Sequence, residues 1–128
     1  VVKMNEKLDL FIKENRKSFP KYFKVRELRK YNKNGQLYQI YFLTSLVGFY
    51  VLEEEKMKSL FIKKDYRTFS KEILADIFKH IKSTVDYCTL AVNEMSPRVK
   101  RLAIKNGFVA TDKYVKGKTH KLRVYEWS

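Results

Sequence analysis

Near the start of the chain, Leu8, Phe11 and Ile12 fall at helical spacing, with Met4 one turn earlier on the same face. The spacing predicts a helix from about Met4 to Lys17, stopped by Pro20. Residues 21–34 read two ways: Phe23, Val25 and Glu27 alternate with Lys24 and Arg26 as in a strand, while Leu28 suits a helix. Asn34-Gly35 marks a turn, since both residues tolerate positive φ. Leu37–Leu43 and Leu46–Leu52 are aromatic and β-branched and predict two strands turning at Thr44-Ser45. A polar turn at Glu53–Lys56 leads to a third strand, Lys58–Lys63.

The period then changes. Ile73, Leu74, Ile77, Phe78 and Ile81 form a helical stripe opened by Ser70 as N-cap and ending near Ser83. Tyr87–Val92 is a short apolar strand. Ser96 as N-cap, Pro97 at the first helical position and Gly107 past the last define another helix, with Val99, Leu102 and Ala103 as its buried stripe. Phe108–Val115 and His120–Trp127 predict a closing hairpin around Lys116-Gly117-Lys118. This order predicts a single α+β (mixed α/β) domain over residues 1–128. Its central sheet is mostly antiparallel with helices on both faces. A right-handed crossover through the Ile73 helix lays the Leu60 and Leu90 strands parallel.

Composition narrows the class. The chain has 128 residues, 45% hydrophobic and 15% aromatic, enough to build a core. One cysteine, Cys88, excludes an internal disulfide framework, and two histidines, His80 and His120, argue against structural zinc. Gly35–Leu52 carries no charge, yet Gln36, Gln39, Thr44, Ser45 and Gly48 break it, so two strands are expected and no membrane span. No signal peptide is visible, and from the opening Val1-Val2-Lys3-Met4 the true start is expected at Met4 or further upstream. The expected location is cytoplasmic.

The net charge is +14 and the pI about 9.8. Both residues 1–34 and 88–128 are strongly basic, so the excess is diffuse. Its partners would be anionic: nucleic acid bound without sequence preference, phosphorylated cofactors, acidic membrane surfaces or acidic proteins. Lys113, Lys116, Lys118, Lys121 and Arg123, interleaved with Tyr114 and Tyr125, are a candidate phosphate-tracking run or an ordinary solvated hairpin.

Three segments carry a resemblance. They are Leu46-Val47-Gly48-Phe49, Leu60-Phe61-Ile62-Lys63-Lys64-Asp65-Tyr66-Arg67, and the helix from Ser96 to Gly107-Phe108. Together with the element order, they resemble the GNAT superfamily of acetyl-coenzyme A-dependent N-acetyltransferases. The resemblance implies acetyl-CoA as cofactor and an amine as acceptor. It implies that Phe61, Ile62 and Lys63 lie along the pantetheine arm. Arg67, Thr68, Phe69, Ser70, Lys71 and Glu72 would hold the pyrophosphate, and Ser96 fills the helix-opening slot. The family's loop usually reads Arg/Gln-x-x-Gly-x-Gly/Ala, whereas here Ser70 and Glu72 stand in the glycine positions. Ala103 stands where many relatives keep an acidic tyrosine, and spacing does not choose among Tyr66, Tyr87, Tyr114 and Tyr125 as substitutes. No general base is singled out. Glu53, Glu54 and Glu55 read as a solvated turn. The alternatives are a degenerate GNAT-fold binding or structural protein, whose Lys-rich, Gly-poor composition suits a phage origin and a host cytoplasm, and a basic nucleic-acid-binding protein.

Overall fold

The computed structural model describes the backbone of residues 2–19, 23–93, 97–116 and 121–128, and the side chains of these except residues 2–6, 92–93, 97–98 and 121. Helices α1 (Val2–Asn15) and α2 (Val25–Lys33) come first, then strands β1 (Leu37–Phe42), β2 (Ser45–Glu53) and β3 (Lys56–Ile62). Helix α3 (Ser70–Thr84), strand β4 (Cys88–Asn93), helix α4 (Pro97–Lys105) and strands β5 (Val109–Lys116) and β6 (Lys121–Trp127) complete the order. The six strands hydrogen-bond in the order β1-β2-β3-β4-β6-β5, with β3–β4 parallel and β1–β2, β4–β6 and β5–β6 antiparallel. The mixed, mostly antiparallel sheet expected from the sequence is present. Two compact units are distinguished, residues 1–53 with 58–70, and residues 54–57 with 71–128.

In the first unit, Leu8, Phe11 and Ile12 of α1 are buried together with Leu28, Leu37, Phe49, Val51 and Phe61. Aromatic edges organise this core. Phe11 meets Phe49 and Phe61 edge-on at 6.2 and 6.0 Å, and Phe19 meets Phe61 at 4.6 Å. Each such pair adds roughly 0.5–1.5 kcal/mol to simple burial. Asn15, buried at the end of α1, is satisfied by donating from Nδ2 to the Phe11 carbonyl at 2.9 Å. The ambiguous segment after Pro20 resolves as helix from Val25, with Leu28 as its buried anchor. The Pro20 stop itself lies outside the described residues.

Asn34-Gly35 is a turn, as expected. It closes α2, with Gly35 at φ 73, the Gly35 amide on the Asn32 carbonyl (3.1 Å) and the Gln36 amide on the Tyr31 carbonyl (2.8 Å). This is the double-bonded C-cap that a left-handed glycine permits. The same positive φ serves a hairpin or a helix end, so the dipeptide alone could not distinguish them. The hairpin turns fall on Leu43-Thr44, one residue before the expected Thr44-Ser45 because Ser45 already pairs in β2, and on Glu54-Glu55, where Leu43 (φ 58) and Glu54 (φ 57) take the left-handed conformation.

In the second unit, Ile73, Leu74, Ile77, Phe78 and Ile81 are all buried, as the stripe predicts. Cys88, Leu90, Phe108 and Tyr125 are buried too, and Phe108 packs on Phe78 at 4.9 Å. Helix α4 begins at Pro97 and ends in the predicted glycine cap. Gly107 sits at φ 93, its amide reaches the Ile104 carbonyl at 3.0 Å, and the Phe108 amide reaches the Ala103 carbonyl at 3.0 Å. The expected stripe is only partly buried: Ala103 is fully enclosed and Leu102 half-buried, but Val99 is 41% exposed. The Ser96 N-cap and the Lys116-Gly117-Lys118 turn with His120 fall on or across residues outside those described. His80 is exposed. Among the described residues, no helix is long and apolar enough to cross a membrane.

Candidate functional site

Strand β3 is held tightly against β2 where the pantetheine contacts are expected. Gly48 makes this approach possible. A Cβ built at Gly48 would run into the Phe61 carbonyl oxygen and lie 3.1 Å from its carbon and 3.2 Å from Ile62 Cα. The Lys63 amide donates to the Val47 carbonyl at 2.7 Å. Phe61 points into the aromatic core, so its side chain is structural. Ile62 is 8% exposed.

The segment after β3 differs from a glycine loop. No glycine lies between Gly48 and Gly107, so nothing here readily takes positive φ. Residues Lys64–Phe69 instead wind into a 3₁₀ turn that runs directly into α3. Tyr66 donates its amide to the Lys63 carbonyl at 2.9 Å. Arg67 folds back, with Nε on the Ile62 carbonyl at 3.0 Å and its guanidinium 6.0 Å from the Phe61 ring centre. Phe69 stacks on Phe42 of β1 at 4.7 Å, and Thr68 is exposed.

Ser70 is already helical (φ −56, ψ −35) rather than an N-cap. Both its amide and its hydroxyl donate to the Arg67 carbonyl. These are the two groups expected to meet a phosphate, and the turn itself uses them. What the segment offers an anion is therefore side-chain charge from Lys63, Lys64 and Arg67.

In the second unit, Lys71 and Glu72 are exposed in the first turn of α3. Lys71 lies close enough to Lys105 of α4 that its hydrogen bonding and charge hold Lys105 below the usual lysine range. Two cations brought together in this way gain from an anion between them. Ser96 lies outside the described residues.

The four tyrosines separate clearly. The Tyr87 hydroxyl donates to Glu126 Oε2 at 2.8 Å, and this bond, with desolvation, raises its pKa. Tyr114 is half-exposed with the Arg123 guanidinium 5.8 Å from its ring. Tyr125 is fully enclosed between Leu90 and Ala110 in the ladder, and its hydroxyl has no partner among the described residues. A group with no exposure cannot reach a substrate, nor can its ring stack on a nucleic-acid base. Tyr66 is half-buried in the 3₁₀ turn, within the same unit as Ile62. Ala103 is enclosed and has no proton to give. Cys88 behaves as the buried hydrophobe expected, and burial pushes its thiol up to about 11.

No protein-family model matches the chain, and no curated protein matches its sequence. Solved structures do match. An Arabidopsis thaliana protein in complex with a bisubstrate analogue of coenzyme A and the peptide MVNAL aligns over 96% of this chain and 93% of its own, with TM-score 0.71 and 17% identity. A spermidine N-acetyltransferase SpeG chimera from Vibrio cholerae and hSSAT aligns over 91% of this chain and 89% of its own, with TM-score 0.65 and 14% identity. The chain has the GNAT fold. A GNAT family acetyltransferase from Elizabethkingia anophelis with acetyl-CoA bound also matches, over 81% and 82% of the two chains, with TM-score 0.59 and 16% identity. At these identities the likeness is one of GNAT fold, and chemistry must be argued from this chain's residues.

Proposed function

We propose that the chain is an acetyl-CoA-dependent N-acetyltransferase acting on an amine. The observation that carries this reading is the fold match, over 96% and 81% of the chain, to proteins solved with a coenzyme A analogue and with acetyl-CoA. The residues fit such a cofactor through charge. Lys63, Lys64 and Arg67 are the groups that would hold a pyrophosphate, by side chains rather than by the Ser70 amide and hydroxyl. Acetyl-CoA would supply an activated thioester open to direct attack by a neutral amine.

The chain's own part is to bind and orient. Gly48 fixes the backbone of β3 at Phe61 and Ile62. Arg67 holds the Ile62 carbonyl, which aims that edge of the strand. Of the four tyrosines considered as proton donors, Tyr66 is the one in the same unit as Ile62, while Tyr87 is bonded to Glu126 and Tyr125 is sealed.

The test is acetyl-CoA-dependent thiol release over a panel of amines, read with a disulfide dye. Cys88 is fully buried and adds no background. Thiol release that depends on an amine supports transfer, and release with no amine on the panel contradicts it.

A second reading has its own support. Ser70 closes on Arg67, Glu72 puts a carboxylate in the first turn of α3, and Ala103 replaces an acid. A GNAT-fold binding protein without transfer chemistry accounts for all three. It predicts coenzyme A binding without turnover, or no binding.

A further inference from the structure

The first unit holds a cavity of about 660 Å³ lined by Arg16, Phe19, Phe23, Lys24, Val25, Arg26 and Glu27. Its volume falls in the range of small-molecule sites, roughly 300–1,000 Å³. Its lining combines two kinds of group. Phe19 and Phe23, 5.7 Å apart, give half-buried aromatic surface. Arg16, Lys24 and Arg26 are exposed cations set against one carboxylate, Glu27, and among the described residues none of the three cations makes an ion pair. A solvated basic face needs no aromatic wall, and an apolar core gap needs no cations.

The cavity also has a place relative to β3. Phe19 is 4.6 Å from Phe61 and 5.7 Å from Phe49, and Phe23 is 6.0 Å from Phe49. The aromatic wall therefore rests on the strand residue next to Ile62. We infer that this cavity binds a small molecule carrying a carboxylate on an apolar, aromatic-sized body. Resting on the function proposed above, the acceptor is an amine that also bears a carboxylate, with Glu27 the one anion among the described lining residues. The cations bind the carboxylate and Phe19 and Phe23 cover the body, which leaves the amine as the distinguishing group.

The experiment separates this inference from acetyl transfer. Isotope-labelled protein is titrated with phenylalanine, 3-phenylpropionate and phenethylamine, and amide shifts are followed at Val25, Arg26 and Glu27. The first two compounds should shift these amides saturably. Phenethylamine, which lacks the carboxylate, should bind at least tenfold more weakly. Lys24→Ala/Arg26→Ala should weaken phenylpropionate at least tenfold while keeping the parent's melting point, because both side chains are exposed. Lys24→Arg/Arg26→Lys should restore it. Equal binding of phenethylamine and phenylpropionate, shifts only from acidic peptides, or no shift at all overturns the inference. Coenzyme A binding is measured on the same samples. If it persists while the probes fail, the carboxylate class is wrong and the acetyltransferase reading stands. If the probes bind and no acetyl-CoA-dependent thiol release follows with phenylalanine, the cavity stands without its role as acceptor site.

Discussion

Replacing Gly48 by Ala tests whether the close approach of β2 and β3 holds the candidate cofactor strand in place. The added methyl would meet only backbone: the Phe61 carbonyl oxygen, its carbon at 3.1 Å and Ile62 Cα at 3.2 Å. No rotamer change can relieve a contact with backbone, so the strands must separate. Overpacking of this kind costs about 1–3 kcal/mol. Separation also stretches the 2.7 Å bond from the Lys63 amide to the Val47 carbonyl, worth about 1 kcal/mol. The expected loss is about 2–4 kcal/mol, a large share of the roughly 5–15 kcal/mol that holds a domain together. Gly35→Ala is the control. It has nothing within 4 Å, so only its φ of 73 opposes a side chain, and it should cost about 1–2 kcal/mol. Urea unfolding of the three proteins at one pH gives the numbers. A Gly48→Ala midpoint within about 0.5 kcal/mol of the parent would show that β3 does not sit where its backbone is placed.

Three further outcomes follow from single positions. Gly107→Val should cost about 1 kcal/mol or more by thermal melting, because the capping glycine has φ 93 and a β-branched residue resists it. Leu43→Gly should stabilise by about 0.5–1 kcal/mol in the same assay. Leu43 is 90% exposed at φ 58, so relief of left-handed strain outweighs the entropy of glycine. Burial raises the Cys88 thiol to about 11 from its ordinary 9.0. The folded state then keeps a proton that the unfolded chain loses. This contribution is present below pH 9 and lost as pH rises towards 11, so the stability gap between parent and Cys88→Ala should narrow over that window. A gap that stays constant would refute the sign.

Much of this architecture is legible in the pattern of side chains. The α3 stripe, the glycine cap of α4 and the β1–β2–β3 order follow from periods and from residues with one dominant conformational use. What was not legible had competing uses. Asn34-Gly35 suits a hairpin or a helix end, and only the burial of Leu28 decides for α2. Residues 64–69 sit where a glycine loop would be, but a stretch without glycine takes the tighter 3₁₀ path. The resemblance pointed to a pyrophosphate loop there, and the missing glycines were the signal against its backbone cradle. Val99 had the right spacing but is exposed, so helical period alone did not decide its burial. The cavity residues from Phe19 to Glu27 come together only through packing on Phe49 and Phe61, across a stretch whose period was ambiguous.

The most direct test of the account is calorimetric titration of the parent chain with coenzyme A. The account predicts saturable binding at one site, weakened by salt because side-chain charge supplies it, and a melting temperature that rises with ligand concentration by mass action. Arg67→Glu should weaken the binding by reversing a charge beside β3. No saturable heat and no melting shift from the parent at low salt would contradict the cofactor assignment, and acetyl transfer with it.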